Sequence, residues 1–99
     1  MQGVGATPEQ AAQLTALLDL WEAQLTRLEA HPELQGEPPL GQSLTQSRRI
    51  LDNYRRTLAR DLAHGLARVP AAELFRAIST AQASLKQLDA LEARAATGG

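Results

Sequence analysis

Three long segments of this chain carry leucine and alanine at alternating steps of three and four residues. That spacing aligns apolar side chains along one face of an α-helix, whereas a half-buried strand would alternate at every second residue. The first of these stripes consists of Ala11, Leu14, Leu18, Trp21, Leu25 and Leu28. No segment shows the alternation of a strand. The pattern therefore predicts an all-α protein built from three amphipathic helices.

The sequence marks both ends of the first helix. Thr7 is followed by a proline, and Gln10 stands three residues after Thr7, which is the pattern of a capping box. Pro32 ends the stripe, because a proline disfavours helical backbone in the residue before it. We expect helix one over residues 8–30. The prolines and glycines that follow predict an irregular connector over residues 31–42.

Two further helices follow the connector. A second capping box begins at Ser43 and predicts helix two over residues 44–66. Its end is open, because Gly65 suits the residue that closes a helix while the apolar stripe continues as far as Pro70. Pro70 also suits the first turn of helix three, which we place over residues 70–95. The two stripes are Leu44, Leu51, Tyr54, Leu58 and Leu62, then Leu74, Ile78, Ala81, Leu85 and Leu88.

With 99 residues, the chain has room for one ordinary domain. We place that domain at residues 7–96, with disordered ends at 1–6 and 97–99. Three helices and one long connector predict a small three-helix up-down-up bundle. If helices two and three run on through Gly65, the alternative is a kinked helical hairpin that dimerises.

Composition excludes several classes of chemistry. The chain has no cysteine, which excludes disulfides, thiolate metal sites and a cysteine nucleophile. Its two histidines, His31 and His64, lie in separate segments without clustered carboxylates, so we expect no metal site. Neither a glycine-rich phosphate loop nor a serine-hydrolase motif is present. We therefore expect a protein that is not an enzyme and carries no cofactor.

Charge is divided unevenly between the first two helices. Residues 44–69 hold six arginines against two aspartates, a balance of +4. Residues 7–31 hold four acidic residues against Arg27, a balance of −3. Five arginines of helix two fall within an arc of about 140° beside its apolar face. These five residues, the arginine stripe, are Arg48, Arg49, Arg55, Arg56 and Arg60.

The arginine stripe has two interpretations. Guanidinium groups bind carboxylates and phosphates, so the stripe can recognise an external anion on a protein or a nucleic acid. Alternatively, Asp19, Glu22 and Glu29 lie on one flank of helix one and can pair with the arginines if the two helices pack antiparallel. The formal charge of −1 favours a protein partner over a nucleic acid.

Four apolar residues lie beside the stripes and not within them. They are Leu17, Leu20, Phe75 and Leu91. We interpret them as contact residues for a partner, although a three-helix core with wide apolar arcs also accounts for them. With the arginine stripe, they predict a non-enzymatic protein–protein interaction module, such as an adaptor, a chaperone-like protein or a regulatory subunit. Its partner would be another protein or a second copy of this chain, and the alternative function is a helical regulator that binds nucleic acid.

The N-terminal residues lack the basic and apolar segments of a signal peptide. The longest apolar run, Ala16-Leu17-Leu18, is far shorter than the roughly 20 residues of a membrane span. We therefore expect a cytoplasmic protein that has no membrane partner.

Overall fold

The computed structural model describes residues 5–31 and 38–97 of the chain, and most of these residues are helical. The helices are α1 (Pro8–Glu29), α2 (Pro38–His64) and α3 (Ala71–Thr97), with a single 3-10 turn at Leu66–Arg68. Because α1 packs against both α2 and α3, the predicted all-α three-helix bundle is confirmed.

The start of α1 follows the sequence prediction. The Thr7 hydroxyl accepts a hydrogen bond from the backbone N–H of Gln10 at 3.1 Å, and the Gln10 side chain accepts one from the backbone N–H of Thr7 at 3.1 Å. This capping box satisfies two backbone donors that a helix start leaves without partners.

The start of α2 differs from the prediction. The helix begins at Pro38 and not at residue 44, so the connector predicted over 31–42 overlaps its first turns. Ser43, which we expected to cap the helix, lies inside it. Two prolines fit the first turn of a helix, because the backbone N–H groups that they lack would have no partner within the helix there.

Gly65 separates α2 from α3. Its φ of 112° lies in the region that favours glycine, and its backbone N–H donates to the carbonyl of Asp61 at 3.0 Å. This glycine ends α2 at His64, and α3 starts only after the 3-10 turn. The two helices are therefore not continuous, and the chain adopts the bundle and not the kinked hairpin.

Gly5 and Ala6, which we expected to be disordered, are held by backbone contacts. The backbone N–H of Ala6 donates to the carbonyl of Val69 at 2.7 Å, and Gly5 forms an antiparallel bridge with Pro70. A Cβ at Gly5 would lie 2.5 Å from the carbonyl oxygen of Ala67, so this approach requires glycine. The expectations for residues 1–4 and 98–99 lie outside the described residues, and Thr97 belongs to α3.

The core lies between the helices, and α1 contributes its largest side chains. Leu18, Trp21 and Leu25 are fully buried, as is Leu51 of α2. The indole N–H of Trp21 donates to the Ser47 hydroxyl at 2.8 Å. The Trp21 ring centroid lies 6.1 Å from that of Tyr54, at an interplanar angle of 59°. Burying these large side chains supplies most of the driving force for folding.

Contacts between side chains fix the directions of the helices. Glu29, at the end of α1, pairs with Arg48 in the first half of α2, so these helices are antiparallel. Gln24 in α1 contacts Asp89 near the end of α3, so α1 and α3 are parallel. The order is therefore up-down-up, as predicted. Among the described residues, no helix is apolar enough over a sufficient length to cross a membrane.

Candidate interaction surface

Two arginines of the stripe face α1 and are paired with its acidic residues. Arg48 lies 2.6 Å from a carboxylate oxygen of Glu29 and 3.9 Å from one of Glu22. Arg55 lies 2.8 Å from Asp19 and 2.6 Å from Glu22. The hydrogen bond to Glu29 raises the pKa of Arg48, and the hydrogen bond to Asp19 raises the pKa of Arg55. For these two arginines, pairing within the chain is what the structure shows.

The other three arginines form no ion pair with α1. Arg49, Arg56 and Arg60 are exposed, and none forms an ion pair with a residue that the structure describes. A helix rises about 1.5 Å per residue, so they are spaced by roughly 10 Å and 6 Å along α2, within an arc of about 40°. We call these three residues the outer arginine row.

The four predicted apolar contact residues fall into two groups. Leu17 and Leu91 are partly buried and pack against the core, as expected for a three-helix bundle with wide apolar arcs. Leu20 and Phe75 are 58% and 66% exposed. Neither exposed residue lies in the groove or the depressions beside the outer arginine row. Two of the four predicted contact residues are therefore exposed, and the other two belong to the packing of the core.

An apolar groove of about 240 Å³ runs between α2 and α3. Apolar side chains line its interior, and threonine and charged side chains line its rim. The interior residues are Leu14, Tyr54, Leu58, Leu74 and Ala77, and the rim residues are Thr57, Asp61, Glu73, Arg76 and Thr80. Thr57 also lines a shallow depression together with Asn53, Arg56 and Arg60. The groove is therefore next to Arg56 and Arg60, whereas Arg49 lines a separate depression.

The groove was not predicted from the sequence. Tyr54, Leu58 and Leu74 belong to the predicted stripes, and we assigned them to the core without expecting that they would also line a groove. Whether a groove opens beside them depends on the distance between α2 and α3, and the spacing of residues within each helix does not encode that distance.

A polar cluster between α1 and α3 was also missed. Gln24 is buried, and its amide N–H donates to carboxylate oxygens of Asp89 and Glu92. Arg27 forms an ion pair with Glu92 at 3.1 Å. The hydrogen bond from Arg27, and then that from Gln24, lower the pKa of Glu92. The available signal was the position of Gln24, three residues after Trp21 and four before Leu28, which places it beside the apolar stripe.

His31 follows α1, and His64 lies in the last turn of α2. The Nδ1 of His64 is 3.0 Å from the carbonyl oxygen of Arg60. A histidine at this end of a helix suits the helix dipole. Within residues 5–31 and 38–97, no cluster of histidine and carboxylate side chains could hold a metal ion.

Comparisons with protein-family models, with curated proteins and with solved structures gave no match to this chain. What the surface can do therefore follows from its own geometry. It joins exposed guanidinium groups to an apolar groove, a combination suited to binding.

Proposed function

We propose that this protein is a non-enzymatic interaction module that binds an acidic protein partner through the outer arginine row. One observation carries the proposal: the arginines of α2 that face α1 are paired, whereas Arg49, Arg56 and Arg60 have no acidic partner among the described residues. Three like charges on one exposed strip create a positive potential along about 16 Å of helix. An acidic partner would relieve their mutual repulsion.

The neighbouring groove supports the same proposal. Exposed charges give an interface selectivity and a faster association rate, whereas most of its binding energy comes from buried apolar contacts. The outer arginine row meets an apolar groove at Thr57, so both contributions are available on one surface. Leu20 and Phe75 remain predicted contact residues of a separate surface.

We propose that the protein acts as an adaptor or a regulatory subunit in the cytoplasm.

Nucleic acid is the second candidate partner, because guanidinium groups bind phosphates as well as carboxylates. The lack of acidic partners for the outer arginine row fits either kind of anion. The formal charge of −1 speaks against nucleic acid, since domains that bind it usually carry a clear basic excess. This alternative is an outcome of the test below.

The test is affinity capture from cells that produce the protein, with quantitative mass spectrometry. We compare the tagged wild-type protein with Arg56→Gln/Arg60→Gln, and use Arg68→Gln/Lys86→Gln as a control of equal charge. Both residues of the control are exposed. We expect one protein to be enriched by the wild type and the control and lost with the first variant, with recovery falling as salt rises.

Two results would contradict the proposal. If the first variant captures the same proteins as the wild type, the outer arginine row is not the binding surface. If enrichment disappears after nuclease treatment of the extract, the nucleic-acid alternative replaces the protein partner.

A further inference from the structure

The three helices are not packed equally against one another. α1 packs closely along both α2 and α3, whereas in the described part of the chain α2 and α3 make few close backbone contacts with each other. The groove lies on this open side, and Leu14 of α1 contributes to its lining from below. In a bundle of four helices, a fourth helix would cover this position.

The groove has the size and lining of a pocket for one large apolar side chain. Its volume is about 240 Å³, and Tyr54, Leu58, Leu74 and Ala77 line it. For comparison, an apolar cavity of about 150 Å³ in another protein binds benzene. A leucine or phenylalanine side chain of a partner can therefore enter the groove.

The charges around the groove are arranged unevenly. On the α2 side it borders Arg56 and Arg60 through Thr57, and Arg76 lies on the α3 side. Asp61 and Glu73 lie at the end of the groove nearest the turn between the two helices. The sides thus present cations, and one end presents two carboxylates.

We infer that the groove receives one amphipathic helix of the acidic partner, which completes a four-helix bundle. This inference rests on the proposed function and names the structure that the partner presents. The apolar stripe of the helix lies in the groove, with a leucine or phenylalanine inserted. Its acidic flank faces Arg56 and Arg60. Its N-terminal end, which carries a partial positive charge, lies toward Asp61 and Glu73.

A second copy of this chain fits the groove less well than an acidic partner. Two copies related by a two-fold axis would present the same surface to each other. Each would bring its own outer arginine row to the interface, where like charges repel. A helix of opposite charge avoids that repulsion.

The experiment measures binding of three labelled 18-residue peptides by fluorescence anisotropy. The first carries leucines at helical three-and-four spacing and glutamates along one flank. The second has lysine in place of every glutamate, and the third is a scrambled version of the first. Ala77→Leu fills the groove, and Ala83→Leu makes the same change at an exposed position of α3. Thr80→Tyr narrows the groove from its rim and serves as a second blocking variant.

We expect the first peptide to bind the wild type and Ala83→Leu equally. Ala77→Leu and Thr80→Tyr should each weaken its binding about tenfold or more, the loss expected when one buried anchor is removed. The lysine peptide should bind at least about tenfold more weakly, and the scrambled peptide not at all. Circular dichroism and thermal unfolding show whether each variant is folded, and the two blocking variants act from different positions.

Several outcomes would overturn the inference. If Ala77→Leu and Thr80→Tyr bind the first peptide as the wild type does while Arg56→Gln/Arg60→Gln does not, the partner docks on the arginines alone and the proposed function survives. If the first peptide does not bind, the inference that the groove receives an amphipathic helix is wrong. The capture experiment then decides the proposed function separately. Sedimentation showing a wild-type dimer that Ala77→Leu abolishes would assign the groove to a second copy. Binding of a DNA duplex that needs Arg56 and Arg60, without peptide binding, would assign the surface to phosphates.

Discussion

The two sides of α2 differ in how many of their side chains have a partner within this chain. Toward α1, Arg48 and Arg55 are paired with carboxylates, and Ser47 accepts a hydrogen bond from Trp21. Toward α3 and solvent, an apolar groove borders Arg56 and Arg60, which have no ion pair with any described residue. The first side fixes the fold, and the second has the composition of a binding surface.

This difference arises between adjacent residues. Successive positions on a helix are rotated by about 100°, so Arg48 and Arg49, or Arg55 and Arg56, face different surroundings. Exposed ion pairs contribute only about 0–1 kcal/mol each, so those with α1 set helix order and direction more than stability. One basic segment therefore holds arginines that are paired with α1 beside arginines that are not, and matched substitutions at neighbouring positions can separate their effects.

The largest expected effect comes from Leu51 and its neighbour Ile50. Leu51 is fully buried, whereas Ile50 is 40% exposed. Leu51→Ala should lower the free energy of unfolding by about 2–5 kcal/mol, because it removes buried methyl groups and leaves a cavity. Ile50→Ala should cost about 1 kcal/mol or less, since much of this side chain is already in contact with water. Urea unfolding followed by circular dichroism measures both values. Equal losses for the two variants would show that the side of α2 away from α1 is as well packed as the side facing it.

The second prediction concerns the turn that keeps α2 and α3 separate. Gly65→Ala should destabilise the protein by about 1–3 kcal/mol, because alanine is strained at a positive φ. Gly41→Ala is the matched control, since Gly41 lies inside α2 and a Cβ there would contact nothing within 4 Å. It should stabilise the protein by about 0.5–1 kcal/mol.

Thermal unfolding of the two glycine variants decides this point. A higher melting temperature for Gly65→Ala would mean that α2 and α3 tend to form one continuous helix. The groove between two antiparallel helices would then not exist in solution.

A smaller effect is expected from the adjacent arginines Arg55 and Arg56. Arg55→Gln removes the ion pairs with Asp19 and Glu22 and should cost about 0.5–1 kcal/mol. Arg56→Gln should change stability by less than about 0.5 kcal/mol, because Arg56 is exposed and has no ion pair among the described residues. The difference should shrink at about 1 M salt, where the Debye length is only about 3 Å. If both variants lose the same free energy of unfolding in low salt, the outer arginine row also forms stabilising contacts within the chain.

The sequence was sufficient for the fold because the fold depends on periodicity. The stripe from Ala11 to Leu28 predicted both the helix and its buried face, and the capping box at Thr7 predicted its start. The sequence was not sufficient to predict the start of α2, because a proline in the first turn of a helix cannot be distinguished from a proline in a loop by sequence alone. Nor could it show that Gly5 pairs with Pro70, since that contact is made by the backbone.

The candidate surface was predictable only in part. The spacing placed five arginines beside the apolar face of helix two, but which of them face α1 depends on the rotation of the helix about its axis. That rotation is set by core contacts such as Trp21 with Ser47. The groove depends on the distance between two helices, which follows from packing and not from the pattern within either helix.

The smallest expected effect is a pH dependence at the interface between α1 and α3. Hydrogen bonds from Arg27 and Gln24 lower the pKa of Glu92 in the folded protein. The stabilisation that this brings is present above the pKa of Glu92 in the unfolded state and is lost as the pH falls through the lower pKa of the folded state. Arg27→Gln should therefore raise the pKa of Glu92 and make stability less dependent on pH in this acid range. NMR titration of the Glu92 carboxyl, with melting temperatures between about pH 6 and pH 3, measures both effects.

Lys86→Gln is the control for this last prediction, because it also removes one positive charge and lies on α3 itself. Lys86 forms no ion pair with a described residue, whereas Arg27 is paired with Glu92 at 3.1 Å. An unchanged Glu92 titration in Arg27→Gln would mean that the ion pair between Arg27 and Glu92 does not form in solution. The hydrogen bonds from Gln24 to Asp89 and Glu92 would then remain as polar contacts between α1 and α3. The interface between α1 and α3 would in that case differ less in polar contacts from the groove between α2 and α3.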